Sequence, residues 1–387
     1  MKKNLIYAAV VAASAGLTLA CTSSPSEMSD SVKIEQNSAS MPKVSGYPET
    51  KTVAQQDNYH GTMVSDPYRW LEEEKSEEVK TWVESQNTLA RPYLAELPSR
   101  ERYEERLTAL WDYEKYSTPY MVNSKLFYSY NNGLQNQYVL YMADGVDGEP
   151  EVLIDPNTLS DDGTVSMAST ELSPKASYLA YMLSDGGTDW KTIHLRNTSN
   201  KSDLTDTIKG IKFSNIAWLP DESGFFYSRY PINDAGEYDD SQTVAIYFHA
   251  IGTAQSADKK IFAFEGKDTW NPYPSVVQDG ETLLISVFEG YQANGVYAKS
   301  LREDDSELVP VFDKWDGRYD LIGEHGDALF FTSTADAPTG KVVKVTFDNG
   351  VNATETVIES TPDTLSSVSL LGEKLFAQYL KDVKGQV

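Results

Sequence analysis

The sequence predicts a mainly β protein: a β-propeller of about six four-stranded blades, preceded by a short helical segment. Three observations carry this prediction. A strand-like motif recurs at nearly constant intervals, polar turns separate the repeats, and the hydrophobic pattern changes from helical to alternating near residue 117. The 24 tyrosines also suit a β protein, because tyrosine favours half-exposed strands.

The chain begins with a targeting segment. Two lysines precede an apolar run, Leu5 to Ala20, that is shorter than the roughly 20 residues of a membrane span. The lone cysteine, Cys21, ends this run in "LTLAC", which resembles the lipobox of bacterial lipoproteins. We expect residues 1–21 to be a lipoprotein-type signal peptide. The protein would then be exported to the periplasm and held at a bacterial membrane only by a lipid on Cys21, with a plain exported protein as the alternative.

A Ser-rich tether and then helices are expected before the repeats. Residues 22–46 carry too few large apolar side chains to offset the entropy of ordering, which predicts a disordered tether. Residues 47–115 form the helical segment. Helix starts are predicted at Asp66 with Pro67, at Ser76 and near Ser99. One apolar face is expected to be buried on the later two helices, formed by Val79, Trp82, Val83, Leu89 and Ala90 on the second and by Tyr103, Leu107, Leu110 and Trp111 on the third.

The repeats occupy residues 116–387. Their motifs are "KLFYSY", "YLAYML", "GFFYSR", "TLLISV", "ALFFTS" and "KLFAQY", with anchors at positions 126, 179, 225, 283, 329 and 375, and gaps of 53, 46, 58, 46 and 46 residues. A period near 40–50 residues with short strands is typical of a propeller; an array of β-sandwiches is the alternative. The last anchor lies twelve residues before Val387, so the sixth blade is expected to lack most of its strands and the propeller to be incomplete.

Composition excludes several classes of function. There are 33 Lys and Arg residues against 58 Asp and Glu residues, and a formal charge of −25 repels nucleic acid and anionic lipid headgroups. A single cysteine rules out an intramolecular disulfide, a CxxC pair and a Cys/His zinc cluster. No metal and no cofactor are predicted.

No catalytic set is visible among the motifs. The sequence contains no G-x-S-x-G, H-E-x-x-H, P-loop or G-x-G-x-x-G pattern. The four histidines are interpreted as structural or surface residues: His60 at the surface, His194 and His249 within strands, and His325 exposed in a turn before a strand. Acidic runs such as "EDDSE" are interpreted as solvated turns.

Longer motifs carry a resemblance to a family. "DNYHGTMVSDPYRWLEE", "YEERLTALWDYEKYS", "SDGGTDWKTIHLR" and "IKFSNIAWLPDESGFFYSRYP" strongly resemble prolyl oligopeptidases, from about residue 47 to the end. The resemblance implies a seven-bladed propeller, of which about six blades are present, and a split α/β-hydrolase domain to which residues 47–115 belong. The catalytic Ser, Asp and His of the family lie after the propeller, so none can be assigned here.

The resemblance also implies four substrate-binding positions on the propeller. Asp189 resembles an aspartate that pairs with a substrate-binding arginine of the hydrolase domain, and Phe213 resembles an aromatic of the substrate wall. Asn271 and Tyr291 correspond to two further wall positions. The alternative for Phe213 is an ordinary blade core residue.

The expected function follows from this resemblance. The chain is similar to the N-terminal portion of a serine endopeptidase that cleaves short proline-containing peptides after proline. Its propeller would gate access and line part of the cleft, and the chain alone is expected to be inactive. The alternative is a non-catalytic, membrane-tethered propeller that binds peptides.

Overall fold

The structure is a computed structural model that describes residues 44, 46–74, 76–233, 235–303, 305–348 and 351–387. The predicted signal peptide with Cys21, and the tether except residues 44 and 46, lie outside the described residues. The chain forms two compact units, divided between Arg106 and Leu107.

The first unit opens with a β-hairpin, β1 (Gln56–Tyr59) and β2 (Thr62–Ser65). His60 and Gly61 form its turn with φ angles of 52° and 91°, and His60 is exposed, as expected for a surface residue. The predicted helix at Asp66 and Pro67 is wrong, because only a four-residue 3₁₀ helix, Arg69–Glu72, forms there.

The side chain of Asp66 explains this difference. Its carboxylate accepts a hydrogen bond from the amide of Tyr68 at 3.2 Å and pairs with Nε of Arg69 at 2.7 Å. Arg69 also forms an ion pair with Asp57 of the hairpin. These contacts hold a local turn in place of the cap of an α-helix.

Two α-helices follow, α1 (Glu77–Ala95) and α2 (Arg100–Trp111). The predicted start of α1 is confirmed, because Oγ of Ser76 accepts a hydrogen bond from the amide of Val79 at 3.2 Å. Of the predicted buried face of α1, Val79 is buried and two residues are half-buried, Trp82 and Leu89. The prediction is wrong for Val83 and Ala90, which are exposed.

The prediction of a buried apolar face on α2 is wrong for the described residues. Its apolar residues are between 50% and 63% exposed: Tyr103, Leu107, Leu110 and Trp111. Helical spacing aligns an apolar stripe, but spacing alone does not bury it, because burial also requires a second apolar surface.

From Lys115 onward, the described strands form six antiparallel sheets, the blades. Blade 1 contains β3 (Lys115–Tyr116), β4 (Tyr120–Val122), β5 (Lys125–Asn131), β6 (Val139–Asp144) and β7 (Glu151–Ile154). Blade 2 contains β8 (Val165–Leu172), β9 (Tyr178–Asp185), β10 (Lys191–Asn197) and β11 (Asp203–Ile211). Blade 3 contains β12 (Ala217–Trp218), β13 (Gly224–Arg229), β14 (Ala245–Ala250) and β15 (Lys259–Ala263).

The remaining blades repeat this meander. Blade 4 contains β16 (Asn271–Val277), β17 (Thr282–Phe288), β18 (Asn294–Ser300) and β19 (Leu308–Phe312). Blade 5 contains β20 (Tyr319–His325), β21 (Ala328–Ser333), β22 (Lys341–Asp348) and β23 (Val351–Ile358). Blade 6 contains β24 (Thr364–Leu371), β25 (Lys374–Lys381) and β26 (Lys384–Gln386).

The predicted propeller is confirmed. Each sequence anchor lies in the second strand of its blade, except in blade 1, where it lies in β5, which pairs with the two short strands β3 and β4. The sixth blade has three described strands, more than the sequence predicted. The reason is that its anchor marks a second strand, so that β24 precedes it.

The hydrophobic core lies between successive sheets. Blades 1 and 2 share a cluster with Phe127 and Leu179, and blades 2 and 3 share one with Ile193 and Phe225. Equivalent clusters join blades 3 and 4 and blades 4 and 5. Blades 2, 3 and 4 are therefore each packed between two neighbouring blades, which suits the β-branched and aromatic residues of their strands.

The meander gives the propeller two ends. We define face A as the end at which β9, β13 and β17 finish, formed by segments 185–191, 212–214, 229–244, 264–271 and 288–294; face B is the opposite end. Turns on face B join neighbouring blades directly. Glu222 of blade 3 accepts a hydrogen bond from the amide of Lys175 of blade 2 at 2.7 Å, and Glu324 of blade 5 accepts one from the amide of Gln278 of blade 4 at 2.6 Å.

Candidate functional site

All four positions implied by the resemblance lie at face A. Asp189 is in the turn between β9 and β10, and Phe213 lies between β11 and β12. Asn271 is the first residue of β16, and Tyr291 is in the turn between β17 and β18. They lie at one end because each blade is an antiparallel meander that begins at the same end of the propeller. Equivalent turns of different blades therefore lie on the same side.

Phe213 is held in an aromatic and cationic environment. Its side chain is 40% exposed, so it is not a blade core residue. The ammonium of Lys212 lies 5.7 Å from the ring centroid of Phe213 and 5.5 Å from that of Trp190. The same ammonium pairs with Oδ2 of Asp240 at 2.5 Å. Lys212 therefore bridges two rings and a carboxylate on face A.

The turn that carries Asp189 is tied to the segment that carries Phe213. Nζ of Lys191 donates hydrogen bonds to the main-chain oxygens of Asp189 and Lys212, both at 2.9 Å. The carboxylate of Asp189 is exposed and has no partner among the described residues. It is available to a cation that approaches face A.

Aromatic rings continue from this turn toward blade 3. Trp190 meets the ring of Tyr230 edge-on, with centroids 5.7 Å apart, and lies 6.3 Å from Tyr238. A cleft of about 390 Å³ opens beside Trp190 and is lined by Lys191, His194 and Tyr238 among others. Burial lowers the pKa of His194 below its usual value, which keeps this side chain neutral at neutral pH.

Asn271 is fixed by a neighbouring tyrosine. Its Oδ1 accepts a hydrogen bond from the hydroxyl of Tyr230 at 3.2 Å, and its amide nitrogen donates to the main-chain oxygen of Thr269 at 3.3 Å. Burial raises the pKa of Tyr230, so its hydroxyl remains a donor at neutral pH. Asn271 and Trp190 are therefore both in contact with Tyr230.

Glu289 anchors the turn of Tyr291 to the segment before β16. Its two oxygens accept from the hydroxyl of Thr269 at 2.6 Å and from Nε1 of Trp270 at 3.1 Å. These hydrogen bonds lower the pKa of Glu289 and keep it ionised. Tyr291 itself is 89% exposed, so its ring is open to a ligand.

Five contributors were missed by sequence reasoning: Trp190, Lys191, Lys212, Tyr230 and Glu289. Trp190 follows Asp189 directly in "TDW", which was the one available signal. The others are joined by contacts between segments that are 19 to 41 residues apart or lie in separate turns, and no local sequence pattern indicates such contacts.

The histidines lie apart from these four positions. His194 is in β10 and His249 in β14, as the sequence predicted. His325 is exposed as expected, but it is the last residue of β20 and not part of a turn. Its Nε2 lies 3.7 Å from a carboxylate oxygen of Glu373.

The described residues contain no group of three or more His, Cys, Asp or Glu side chains arranged to hold a metal ion. Among the same residues there is no helix with the length and apolar character needed to cross a membrane.

Face A presents a set of aromatic surfaces, an amide and an unpaired carboxylate. These groups suit the binding of a peptide.

Comparisons with known proteins identify the family. The family model described as the prolyl oligopeptidase N-terminal β-propeller domain matches residues 48–387. A prolyl endopeptidase of Elizabethkingia meningoseptica is 37% identical over 353 residues, which cover 90% of this chain and 50% of that protein. Prolyl oligopeptidase A of Galerina marginata is 32% identical over 366 residues, covering 84% and 48%.

Solved structures agree with this result. A mutant of prolyl oligopeptidase B from Galerina marginata, bound to a 25mer macrocyclization substrate, superposes with a TM-score of 0.76 at 29% identity and covers 88% of this chain and 52% of its own. This chain thus spans about half the length of the relatives it matches. On the family match and these identities, the chain belongs to the prolyl oligopeptidase family and contains its N-terminal β-propeller.

Proposed function

We propose that this chain is the gating and substrate-lining part of a serine endopeptidase that cleaves short peptides after proline, and that it does not hydrolyse peptides by itself. Family membership supports the reaction class, since relatives are named prolyl endopeptidases. The catalytic serine, histidine and aspartate would belong to the hydrolase domain that accompanies the propeller in the family. Such a triad attacks the peptide carbonyl with the histidine as base.

The observation that carries the proposal is the arrangement of face A. Asp189 and Phe213 extend from blade 2, and Asn271 and Tyr291 extend from blade 4. Aromatic rings and an amide suit an extended peptide, and the unpaired carboxylate of Asp189 suits an arginine on an apposed domain. A propeller over the cleft would admit short, flexible peptides and exclude folded proteins.

An activity assay tests the catalytic half of the proposal. Purified chain is incubated with a fluorogenic peptide that contains proline before the scissile bond. We expect no turnover above the buffer control. Hydrolysis that a serine-directed inhibitor abolishes would contradict the expected inactivity.

A binding assay separates this proposal from a second candidate, a non-catalytic, membrane-tethered propeller that binds peptides. The second candidate is favoured by the exposure of Phe213 and Tyr291. Calorimetry compares a proline-containing peptide with its alanine-substituted match. We expect weak binding without preference for proline, because half of the cleft belongs to another domain. Tight, proline-selective binding that the Phe213→Ala variant loses would favour the second candidate.

We also propose that the protein is exported to the periplasm and anchored by a lipid on Cys21. The basic start, the short apolar run and "LTLAC" support this location. Mass spectrometry of the mature N-terminus tests it. A mature chain that begins at an acylated Cys21 is expected, whereas an unmodified or absent Cys21 would refute the lipid anchor.

A further inference from the structure

A histidine is buried between two carboxylates inside the propeller. His249 of β14 has no exposed surface. Its Nδ1 lies 2.7 Å from Oδ1 of Asp258, and its Nε2 lies 3.0 Å from Oδ1 of Asp206. Both carboxylates are buried as well, with side chains at most 1% exposed. Three ionisable groups thus share one site from which water is excluded.

The two carboxylates belong to different blades. Asp206 is in β11, the last strand of blade 2, whereas Asp258 directly precedes β15 of blade 3. Asp206 also accepts a hydrogen bond from the amide of Gly252 of blade 3 at 2.6 Å. The contacts of Asp206 therefore join the two blades.

A pair of amide contacts extends this junction toward face A. The side chain of Gln255 donates to the main-chain oxygen of Lys209 at 2.9 Å and accepts from the amide of Lys209 at 3.1 Å. We call the junction of β11 with segment 249–258 the blade 2–3 seam. It consists of Asp206, Lys209, His249, Gly252, Gln255 and Asp258.

The seam needs two protons on His249. A neutral imidazole has one N–H and one lone pair, so it donates to only one of two carboxylates, while an imidazolium donates to both. Loss of one proton would leave a ring lone pair facing a carboxylate oxygen in a buried site, which is costly.

The contact with Asp206 is the one we expect to fail, because it is the longer of the two, at 3.0 Å against 2.7 Å for Asp258. Each carboxylate has one further donor: the hydroxyl of Tyr227 for Asp258 and the amide of Gly252 for Asp206. The remaining proton would then stay on Nδ1, in the shorter contact with Asp258, and the lone pair on Nε2 would face blade 2.

The surroundings favour the charged ring. Burial on its own would lower the pKa of His249, but the hydrogen bonds with Asp258 and Asp206 more than offset it, so that the pKa lies above its ordinary value of 6.5. Burial and the bond to Asp258 also raise the pKa of Tyr227, which stays neutral. The nearby guanidinium of Arg229 lies 3.9 Å from the ring centroid of Tyr247.

We propose that Asp206, His249 and Asp258 form a proton-dependent clasp between blades 2 and 3, closed while the imidazole carries two protons and open after it loses one. Because the ring is more basic in the folded protein, its stabilising contribution is fully present below pH 6.5 and is lost as the pH rises through its folded-state pKa. Opening frees β11, which leads into Lys212 and Phe213.

Nitrogen-15 NMR of the full chain, labelled at histidine, tests the clasp directly. The chain has four histidines, so the ring signals are few enough to assign. At pH 6.5 we expect His249 to be mainly an imidazolium, and we expect it to titrate at a higher pH than His194, whose pKa is lowered by burial. Above its pKa it should carry its proton on Nδ1. A His249 that is mainly neutral at pH 6.5, or one that titrates no later than His194, would overturn the proposal.

Variants test whether the protonation of His249 controls the stability of the blade 2–3 seam. Asp206→Asn removes the charge that requires the second proton, and His249→Gln removes the titrating ring. In the native chain, protection of the β11 amides from hydrogen exchange, corrected for intrinsic rates, should fall about tenfold per pH unit above the pKa of His249. Both variants should lose this dependence.

His194→Gln is the matched control, because that ring lies in β10 and stacks on Tyr181 at 5.5 Å without a carboxylate at either nitrogen. It should keep the native pH profile of β11. Equal pH profiles for the native chain and Asp206→Asn would overturn the clasp. If a variant fails to fold, the NMR titration of the native chain decides alone.

Discussion

Lys212 places its ammonium 5.7 Å from the ring centroid of Phe213 and, in the same position, pairs with Asp240 at 2.5 Å. One side chain thus fixes an exposed ring that no core contact could hold. The Lys212→Met variant keeps the stem but removes the charge. We expect a loss of about 0.5–1 kcal/mol in the free energy of unfolding, because the pair is partly exposed and a cation–π contact is modest. Urea denaturation measures it.

The control is Lys209→Met on the same strand region. The side chain of Lys209 is exposed, so this variant should unfold with nearly unchanged free energy. Equal effects of the two substitutions would show that Lys212 is not specially engaged.

Gly210 and Gly236 form a matched pair. Both have left-handed backbones, with φ of 80° and 82°, but an added Cβ at Gly210 would lie 2.3 Å from the ring of Tyr238, whereas one at Gly236 meets no atom within 4 Å. Gly236→Ala should cost roughly 1–2 kcal/mol of unfolding free energy from backbone strain. Gly210→Ala should cost about 1–3 kcal/mol more, because the ring must move. Thermal and urea denaturation measure both losses in unfolding free energy. A smaller loss for Gly210→Ala than for Gly236→Ala would contradict the prediction.

Asn294 ties blade 4 to blade 5 through one backbone residue. Its amide donates to the main-chain oxygen of Tyr319 at 3.0 Å and its oxygen accepts from the amide of Tyr319 at 2.7 Å, within the core. Asn294→Ala leaves two buried polar groups unsatisfied, so we expect a loss of about 2–4 kcal/mol in unfolding free energy.

Asn215→Ala is its control. Asn215, just before β12, also joins two blades, through one hydrogen bond to the main-chain oxygen of Pro274 in β16 at 2.7 Å, but it is exposed. Water replaces that bond, and we expect a loss below about 1 kcal/mol. A similar loss for both variants would contradict the role assigned to burial.

Glu222 should give the propeller an acid-sensitive component of stability. Burial on its own would raise the pKa of Glu222, but hydrogen bonds from Ser173, Ser177 and the amide of Lys175 bring it below the ordinary value of 4.5. The contribution of ionised Glu222 to the free energy of unfolding is therefore present above pH 4.5, and it is lost as the pH falls through the folded-state pKa. Glu222→Gln should cost about 1–3 kcal/mol at pH 7.

The pH profile provides the check. The difference in unfolding free energy between the native chain and Glu222→Gln should narrow below pH 4.5, because the native carboxylate then becomes protonated. Glu324, near the end of β20, also accepts a hydrogen bond from an amide of the neighbouring blade but is exposed, so Glu324→Gln should cost less at pH 7. A difference for Glu222→Gln that stays constant with pH would refute the assignment.

Predictions from the sequence were confirmed where a repeated local pattern indicates the fold. The anchors at Leu179, Phe225 and Leu283 lie in equivalent strands because blades 2, 3 and 4 each present their second strand to two neighbouring blades and need the same apolar pattern. They failed at Asp66, where the side chain pairs with Arg69 and stops an α-helix. They also failed at α2, whose stripe is apolar but exposed.

The sequence by itself determined the period of the propeller, the start of α1 at Ser76 and the family, because residue spacing and contiguous motifs indicate these features directly. Tertiary structure alone decided which distant polar groups meet. Asp206 and His249 are 43 residues apart, and only the stacking of blade 2 on blade 3 brings them to 3.0 Å. The physical reason is that a buried charge is tolerated only where the fold supplies its partners. A partner that is distant along the chain cannot be recognised from the local sequence.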